Sequence, residues 1–587
     1  MSTNLTPHEY RESSVVAECL DCGHRTFFTI TLTACPICNS EWLEARYDYR
    51  WISQKLPNLL PGRPFNLWRY RELLPIYEFN PGLSMGEGGT PLIHAKNLGL
   101  MLGCSNIYIK DERQNPTASF KDRQATVKVA ALKEIGINDF VLASTGNLAL
   151  AYSAYTARAG IKLWAFLSSL VSTERMRELA DYGTQVIKVT SSYDQAQIIA
   201  SEFAQHQGLH LELGSRSIPS VESMKTIAFE IAEQLAFPYN QSGVGWMAPD
   251  WYVQSTGDGL GLLGVMKGFD ELHQMGLVDK IPALGGIQVD GCAPMVQAWK
   301  TGMEKVEPVV TPRTNIASLA TGNPGRTYSQ LFHRMKRDGK GVFESASDEE
   351  AFRAMRILAE MEGISVEPAA AVGFAGLITL MRAGIIKSTD LIVVNCTGHT
   401  MPAEKAWLKD KWMHSVIPHS DQRSASGKIS QEASGLAKPY LHVEEEGLLA
   451  ALNRITPNYF SYRDRSPNIL IVNHSKEARL LIRRILQTQG KYLIVEADNG
   501  KQAIEIARNE LPDLILLDLV MPDIDGFAFL EALKEHPSTS SIPVIVLTVN
   551  DLTVEEKNRL KDQIQSMVQE NEFFDVGLLE EVRSIIK

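Results

Sequence analysis

The chain has 587 residues, a formal net charge of −11, 44% hydrophobic and 22% charged residues. That length predicts three or four folding units, and the composition is that of a globular protein with a large core. The acidic balance argues against a general nucleic-acid binder. No apolar run approaches the roughly 20 residues of a membrane helix, and the polar first stretch lacks a secretion-signal core. The expectation is a cytoplasmic protein with neither nucleic acid nor membrane as partner.

Four of the seven cysteines cluster early, as Cys19-Leu-Asp-Cys22 and Cys35-Pro-Ile-Cys38. In a reducing compartment such a cluster suggests metal rather than disulfides. Each pair lets two thiolates reach one ion, and the Thr- and Phe-rich run Thr26 to Thr33 predicts a hairpin between them. This is a zinc-ribbon pattern over residues 1–50. Four thiolates around one Zn²⁺ make a closed, structural site with no catalytic part, and a unit this small needs such a staple. A metal-free remnant or a redox pair is the competing reading.

Residues 51–410 alternate apolar runs with helix-like stretches, which predicts an α/β domain. Strands are expected at Ile107–Lys110, Phe140–Ala143, Leu163–Leu167, Gln185–Val189, Gly286–Val289 and Leu391–Asn395, with amphipathic helices such as Gln124–Ile135 and Leu148–Ala159. The most informative segment is Asn115-Pro-Thr-Ala-Ser-Phe-Lys-Asp-Arg123. Lysine beside Asp and Arg is ordinarily a solvated charge cluster. Against that stand Phe120 before Lys121 and Ser119, placed to cap the following helix.

Further motifs follow in order. Gly86-Glu-Gly-Gly-Thr-Pro-Leu92 is a glycine-rich turn. Ser144-Thr145-Gly146-Asn147 lies between a strand and an Ala-rich helix, where backbone amides can hold a carboxylate; a simple N-cap loop is the alternative. In Gly257-Asp258-Gly259-Leu260-Gly261, alternate glycines let the backbone approach a phosphate; a plain turn is the alternative. Glu362-Gly-Ile-Ser-Val-Glu367-Pro and Val394-Asn-Cys-Thr397-Gly-His399 close the region.

In this order, from about residue 19 to 402, these segments resemble the fold-type-II pyridoxal-phosphate (PLP) enzymes, in the version carried by threonine synthases. Tyr47-Asp48-Tyr49 and Trp68-Arg-Tyr-Arg-Glu-Leu-Leu-Pro75 add to the likeness. The resemblance implies a two-lobed fold like the tryptophan-synthase β chain. It implies that Lys121, next to Phe120, forms a Schiff base with pyridoxal 5'-phosphate and shuttles protons. Asn147 would bond the ring hydroxyl, and Thr397 the pyridine nitrogen. Gly257, Asp258, Gly259, Leu260 and Gly261 would cradle the cofactor phosphate, with the Asp258 acid pointing away. Ser144, Thr145 and Gly146 would hold the α-carboxylate of a small amino-acid substrate. A hydroxyl at the ring nitrogen favours β/γ-chemistry over transamination. The implied reaction converts O-phospho-L-homoserine and water to L-threonine and phosphate, and the implied assembly is a homodimer.

One departure concerns the substrate phosphate. The family has an arginine in N-P-x-R-x-E-G-Q-K-T, and Ser220 stands at that position. Serine cannot replace a guanidinium fork, so Arg216 or Lys225 is the candidate replacement. Ala118 and Gln124 stand where glycines are common. The alternatives are a cysteate synthase, a serine/threonine dehydratase, a diaminopropionate lyase, or a PLP-binding signalling protein with impaired turnover.

Residues 411–465 are Ser-, Gly- and Gln-rich and predict a linker with an amphipathic helix at Leu441–Ile455. Residues 466–587 return to short βα units, with buried strands at Ile469–Val472, Leu493–Val495, Leu514–Leu517 and Val544–Leu547. They resemble a response-regulator receiver domain, a flavodoxin-like (βα)5 fold. Asp518 matches the phospho-acceptor and Thr548 the switch hydroxyl. Asn473-His474 stand where two Mg²⁺-binding acids are expected, and Glu570 where a lysine is. Without those groups little neutralises a transferring phosphoryl. The expectation is a pseudo-receiver that docks a signalling partner or supports dimerisation.

Overall fold

A computed structural model of the chain describes residues 15–168, 171–190, 193–236, 245–399, 467–487, 492–521, 525–548, 553–560, 563–569, 582, 584 and 585. The predicted linker, its helix and Glu570 lie outside the described residues. The chain divides into two compact units, Met1–Thr400 and Met401–Lys587.

The first unit opens with three short antiparallel strands, β1 (Val16–Cys19), β2 (Arg25–Phe27) and β3 (Leu43–Arg46), in the order β2-β1-β3. The run Thr26–Thr33 is not a hairpin by itself. Its first residues pair with β1, and a turn follows in which Leu32 N donates to Thr29 O. Phe28 and Ile30 point into the core at that turn. The core is shared: Ala17, Phe28 and Ala45 belong to the same apolar cluster as Trp68, Phe229 and Leu262. The boundary expected at residue 50 therefore separates no cores.

A buried polar clasp holds β3 down. Lys267 Nζ donates to Ala45 O at 2.6 Å, Tyr47 Oη to Glu222 at 2.9 Å and Tyr49 Oη to Glu271 at 3.0 Å. Lys225 pairs with Glu222 (2.5 Å) and Glu271 (2.8 Å), and Lys267 with Glu222. Removing one partner from such a cluster leaves a buried charge short of compensation, which is why its members hold one another in place.

Among the described residues, ten strands form the body of the unit: β4 (Leu92–His94), β5 (Ile107–Asp111), β6 (Asp139–Ser144), β7 (Lys162–Ser168), β8 (Gln185–Val189), β9 (His210–Leu211), β10 (Trp251–Ser255), β11 (Ala283–Val289), β12 (Val342–Ala346) and β13 (Ile392–Cys396). They make two sheets, one for each expected lobe. The larger has the order β12-β11-β10-β13-β5-β4, parallel except for the edge strand β4; the smaller is parallel, β8-β7-β6-β9. Every residue of β13 is buried, as its unbroken apolar run predicts for a central parallel strand. The helix Leu260–Gln274 packs against Ile218–Met224 and Thr226–Ala236 almost backbone to backbone. A methyl added at Gly264 would stand 2.4 Å from Met224 Cβ, and one at Gly268 2.6 Å from Lys225 O.

The second unit is a parallel sheet of β14 (Asn468–Val472), β15 (Leu493–Ala497), β16 (Leu514–Asp518), β17 (Val544–Thr548) and β18 (Ser566–Gln569), in the order β15-β14-β16-β17-β18. That is the flavodoxin-like order 2-1-3-4-5. Strand alternation sends Leu470 and Val472 to one core, and Ile469 and Ile471 to the other. The short, half-polar β18 carries too little apolar pattern to be expected from sequence. Among the described residues, no helix is long and apolar enough to cross a membrane.

Candidate active site

Lys121 begins the helix Lys121–Glu134. The loop before it is stitched to the end of β13: Phe120 N donates to Thr397 O, and His399 N to Ala118 O, each at 3.0 Å. Ser119 does not cap the helix. Its Oγ is buried without a hydrogen-bond partner, and Phe120 occupies the cap position. The loop is closed instead by Asp122, whose carboxylate accepts from Thr117 N (3.0 Å) and Thr117 Oγ1 (2.9 Å). Burial pushes that carboxyl up to about 7. Arg123 is fully buried between Glu112 (2.7 Å) and Glu230 (2.6 Å). The Lys-Asp-Arg run is thus no solvated charge cluster. Lys121 Nζ lies 4.6 Å from the Phe120 ring centroid and, among the described residues, makes no hydrogen bond or ion pair.

Around Lys121 is a cleft, open to solvent, formed at the C-terminal ends of the parallel strands of both sheets, where α/β proteins place ligands. Its walls bring together Phe120, Lys121, Ser144, Thr145, Asn147, Gly257, Asp258, Gly261 and Thr397. Gly146, Gly259 and Leu260 belong to the same two loops without lining the cleft. Lys225 does not belong to the site. It is fully buried in the clasp under β3, because Glu222 and Glu271 neutralise it there.

Several details add to the sequence reading. Ser144 Oγ accepts from Gly146 N and Ala149 N, both at 3.0 Å, and so organises the start of the helix Asn147–Ala159. Asn147 Nδ2 donates to both oxygens of Glu367 (3.0 and 2.8 Å). Asp258 belongs to the cleft wall, with its Oδ1 accepting from Leu260 N at 3.1 Å, as an aspartate readily closes onto the amide two residues on. Tyr193, Gln254 and Thr321 also line the cleft. Sequence reasoning missed them; for Tyr193 the one available signal was its place at a helix start just beyond β8.

The residues fit a bound PLP. Among the described residues the Lys121 amine makes no hydrogen bond or ion pair, and it lines a concave site with several convergent polar groups. Gly261 lets the loop close tightly, since a Cβ there would stand 2.4 Å from Gln254 Nε2 and 3.0 Å from the Phe120 ring. The Asn147–Glu367 pair supplies polar groups in the cleft wall.

A second, larger cavity, also open to solvent, adjoins the first, sharing Lys121, Leu148, Tyr193, Asp258 and Thr321 with it. It reaches Gly214–Arg216 and, from the cysteine-bearing segment, Glu41 and Trp42. Ser220 is fully buried, and its Oγ donates to Glu212 at 2.8 Å.

The sulfurs of Cys19, Cys22, Cys35 and Cys38 all lie within 4.8 Å of one another, and none is in a disulfide. Sγ separations of 3.5 Å (Cys19–Cys38) and 3.7 Å (Cys22–Cys35) suit four thiolates around a single tetrahedral ion. In the second unit, Asp518 ends β16. Its Oδ1 accepts from Val520 N at 3.0 Å, and His474 Nδ1 lies 3.4 Å from its Oδ2. Burial raises the Asp518 carboxyl above the usual range, with His474 opposing. Asn473 Oδ1 accepts from Ser475 N.

The pyridoxal-phosphate dependent enzyme family matches residues 83–398, and the response regulator receiver domain matches residues 469–579. The chain is 35% identical to the threonine synthase of Methanocaldococcus jannaschii over 397 residues, 67% of this chain and 95% of that one. It is 34% identical to the threonine synthase of Methanosarcina acetivorans over 385 residues (65% and 91%), and 33% to that of Mycobacterium tuberculosis over 350 residues (60% and 91%). The chain belongs to the pyridoxal-phosphate dependent enzymes. Within them it is a lyase of the threonine-synthase type, joined to a response-regulator receiver domain.

Proposed function

We propose that the protein converts O-phospho-L-homoserine and water to L-threonine and inorganic phosphate. The observation that carries this reading is the lysine amine of Lys121, which makes no hydrogen bond or ion pair among the described residues and lies over the Phe120 ring where a cleft meets a larger cavity that would take the substrate side chain. Bound PLP supplies the electron sink that stabilises negative charge next to the substrate amine. Lys121 Nζ takes and returns protons at the α- and β-carbons. The turn Ser144-Thr145-Gly146 holds the α-carboxylate on the helix start. Asn147, anchored by Glu367, would hold the cofactor ring at its edge and Thr397 at its nitrogen, and the Gly257–Gly261 loop would receive its phosphate.

Borohydride should fix the cofactor on Lys121, and Lys121→Ala should abolish both that adduct and phosphate release. PLP binding without phosphate release from O-phosphohomoserine would reject the reaction and favour another amino acid, as in a cysteate synthase, a serine/threonine dehydratase or a diaminopropionate lyase.

In this reading Cys19, Cys22, Cys35 and Cys38 hold one structural Zn²⁺, and the protein works in the cytoplasm as a homodimer. The receiver is a pseudo-receiver that docks a signalling partner. What supports this is the neutral Asn473 and the imidazole of His474 where Mg²⁺ requires hard carboxylate oxygens.

A further inference from the structure

We infer that Arg216 is the residue that binds the substrate's phosphate, and that Glu41, from the cysteine-bearing segment, competes with the substrate for it. The inference rests on the reaction proposed above and names the group that reads its leaving phosphate. Three candidates could carry that charge. Ser220, at the position of the family's arginine, is fully buried and turned onto Glu212. Lys225 is fully buried and paired with two glutamates. Of the described basic side chains lining the larger cavity, Lys121 is committed to the cofactor, and Arg216 remains.

Its surroundings favour that role. Arg216 closes the turn Gly214–Arg216, and Glu212 braces this turn from below, accepting from Gly214 N (2.9 Å) as well as from Tyr152 Oη (2.7 Å) and Ser220 Oγ. The Glu212 carboxylate is thereby occupied by its own donors. Arg216 itself pairs with Glu41, and this pair is 39% and 50% exposed, at the mouth of the same cavity. An exposed ion pair is weak in water. A phosphate dianion offers the guanidinium a stronger, two-pronged partner. The substrate therefore displaces Glu41, and the cysteine-bearing segment sets the threshold at which it does so.

The test uses full-length enzyme loaded with PLP and reduced by borohydride, so that the cofactor's own phosphate site is filled and turnover cannot occur. Inorganic phosphate is titrated calorimetrically. Arg216→Ala should weaken phosphate binding roughly 10- to 100-fold, the usual worth of a charge-assisted hydrogen bond. Arg216→Lys should restore part of it, and Glu41→Gln should tighten it severalfold. With unreduced enzyme, Arg216→Ala should raise KM for O-phosphohomoserine. Equal phosphate affinity in wild type and Arg216→Ala overturns the assignment of Arg216; equal affinity in wild type and Glu41→Gln overturns the competition. If the titration behaves as expected but wild type releases no phosphate from O-phosphohomoserine, the anion site stands and the reaction falls.

Discussion

Asp122 contributes to the lysine loop at a cost that pH exposes. Its folded carboxyl, raised to about 7 from the ordinary 3.8, keeps its proton where the unfolded chain has lost it. The folded state is therefore favoured most at acid pH, below the unfolded value. It loses that share of stability as pH rises from about 4 to about 7, the direction expected of a carboxyl raised by burial. An asparagine in its place would keep an acceptor for Thr117 but have no proton to lose. The stability of Asp122→Asn relative to wild type should then rise across that interval, read as a growing gain in urea midpoint. A difference constant with pH would sink the idea. Ala118 bears a simpler strain: it holds φ +59° without being glycine. Ala118→Gly should remove that strain and stabilise the catalytic unit by up to about 1 kcal/mol in denaturant melts, after the added freedom of the unfolded chain is counted.

The elements differ in how far the chain announces them. The central strands β11 and β13 were legible because they are buried on both faces and carry apolar runs. The lysine loop and the two glycine-bearing turns were legible because each sits at a strand–helix junction with its chemistry in consecutive residues. The clasp under β3 was not. Lys225 meets Glu271, 46 residues away, and nothing local tells such a lysine from a substrate-binding one. For the same reason the cysteine-bearing segment looked separable, although its core is continuous with that of the lobes. Lys267→Met tests how much the clasp bears. It deprives Ala45 O and Glu222 of a buried donor and should cost about 3–5 kcal/mol in chemical denaturation. A loss below about 1 kcal/mol, the size of an exposed pair, would mean the clasp is dispensable.

At the scale of the whole molecule, the two units put a catalytic chemistry and a signalling fold on one chain. The second unit retains the acceptor, Asp518, at the end of β16 but meets it with His474 rather than with a carboxylate. Full-length protein treated with Mg²⁺ and a small phosphoryl donor should leave Asp518 unmodified in intact-mass and peptide analysis. Stoichiometric phosphorylation there would make the receiver a working switch. The first unit carries a different kind of linkage, in the contacts of Gly264 and Gly268 with the helices that follow Arg216. Through those two glycines the helix that starts at the Gly257–Gly261 turn lies almost backbone to backbone on the helices that follow the Arg216 turn. Under the assignments proposed above, a side chain added at either glycine would touch neither turn yet push the two apart, and should weaken the affinity for both phosphates together.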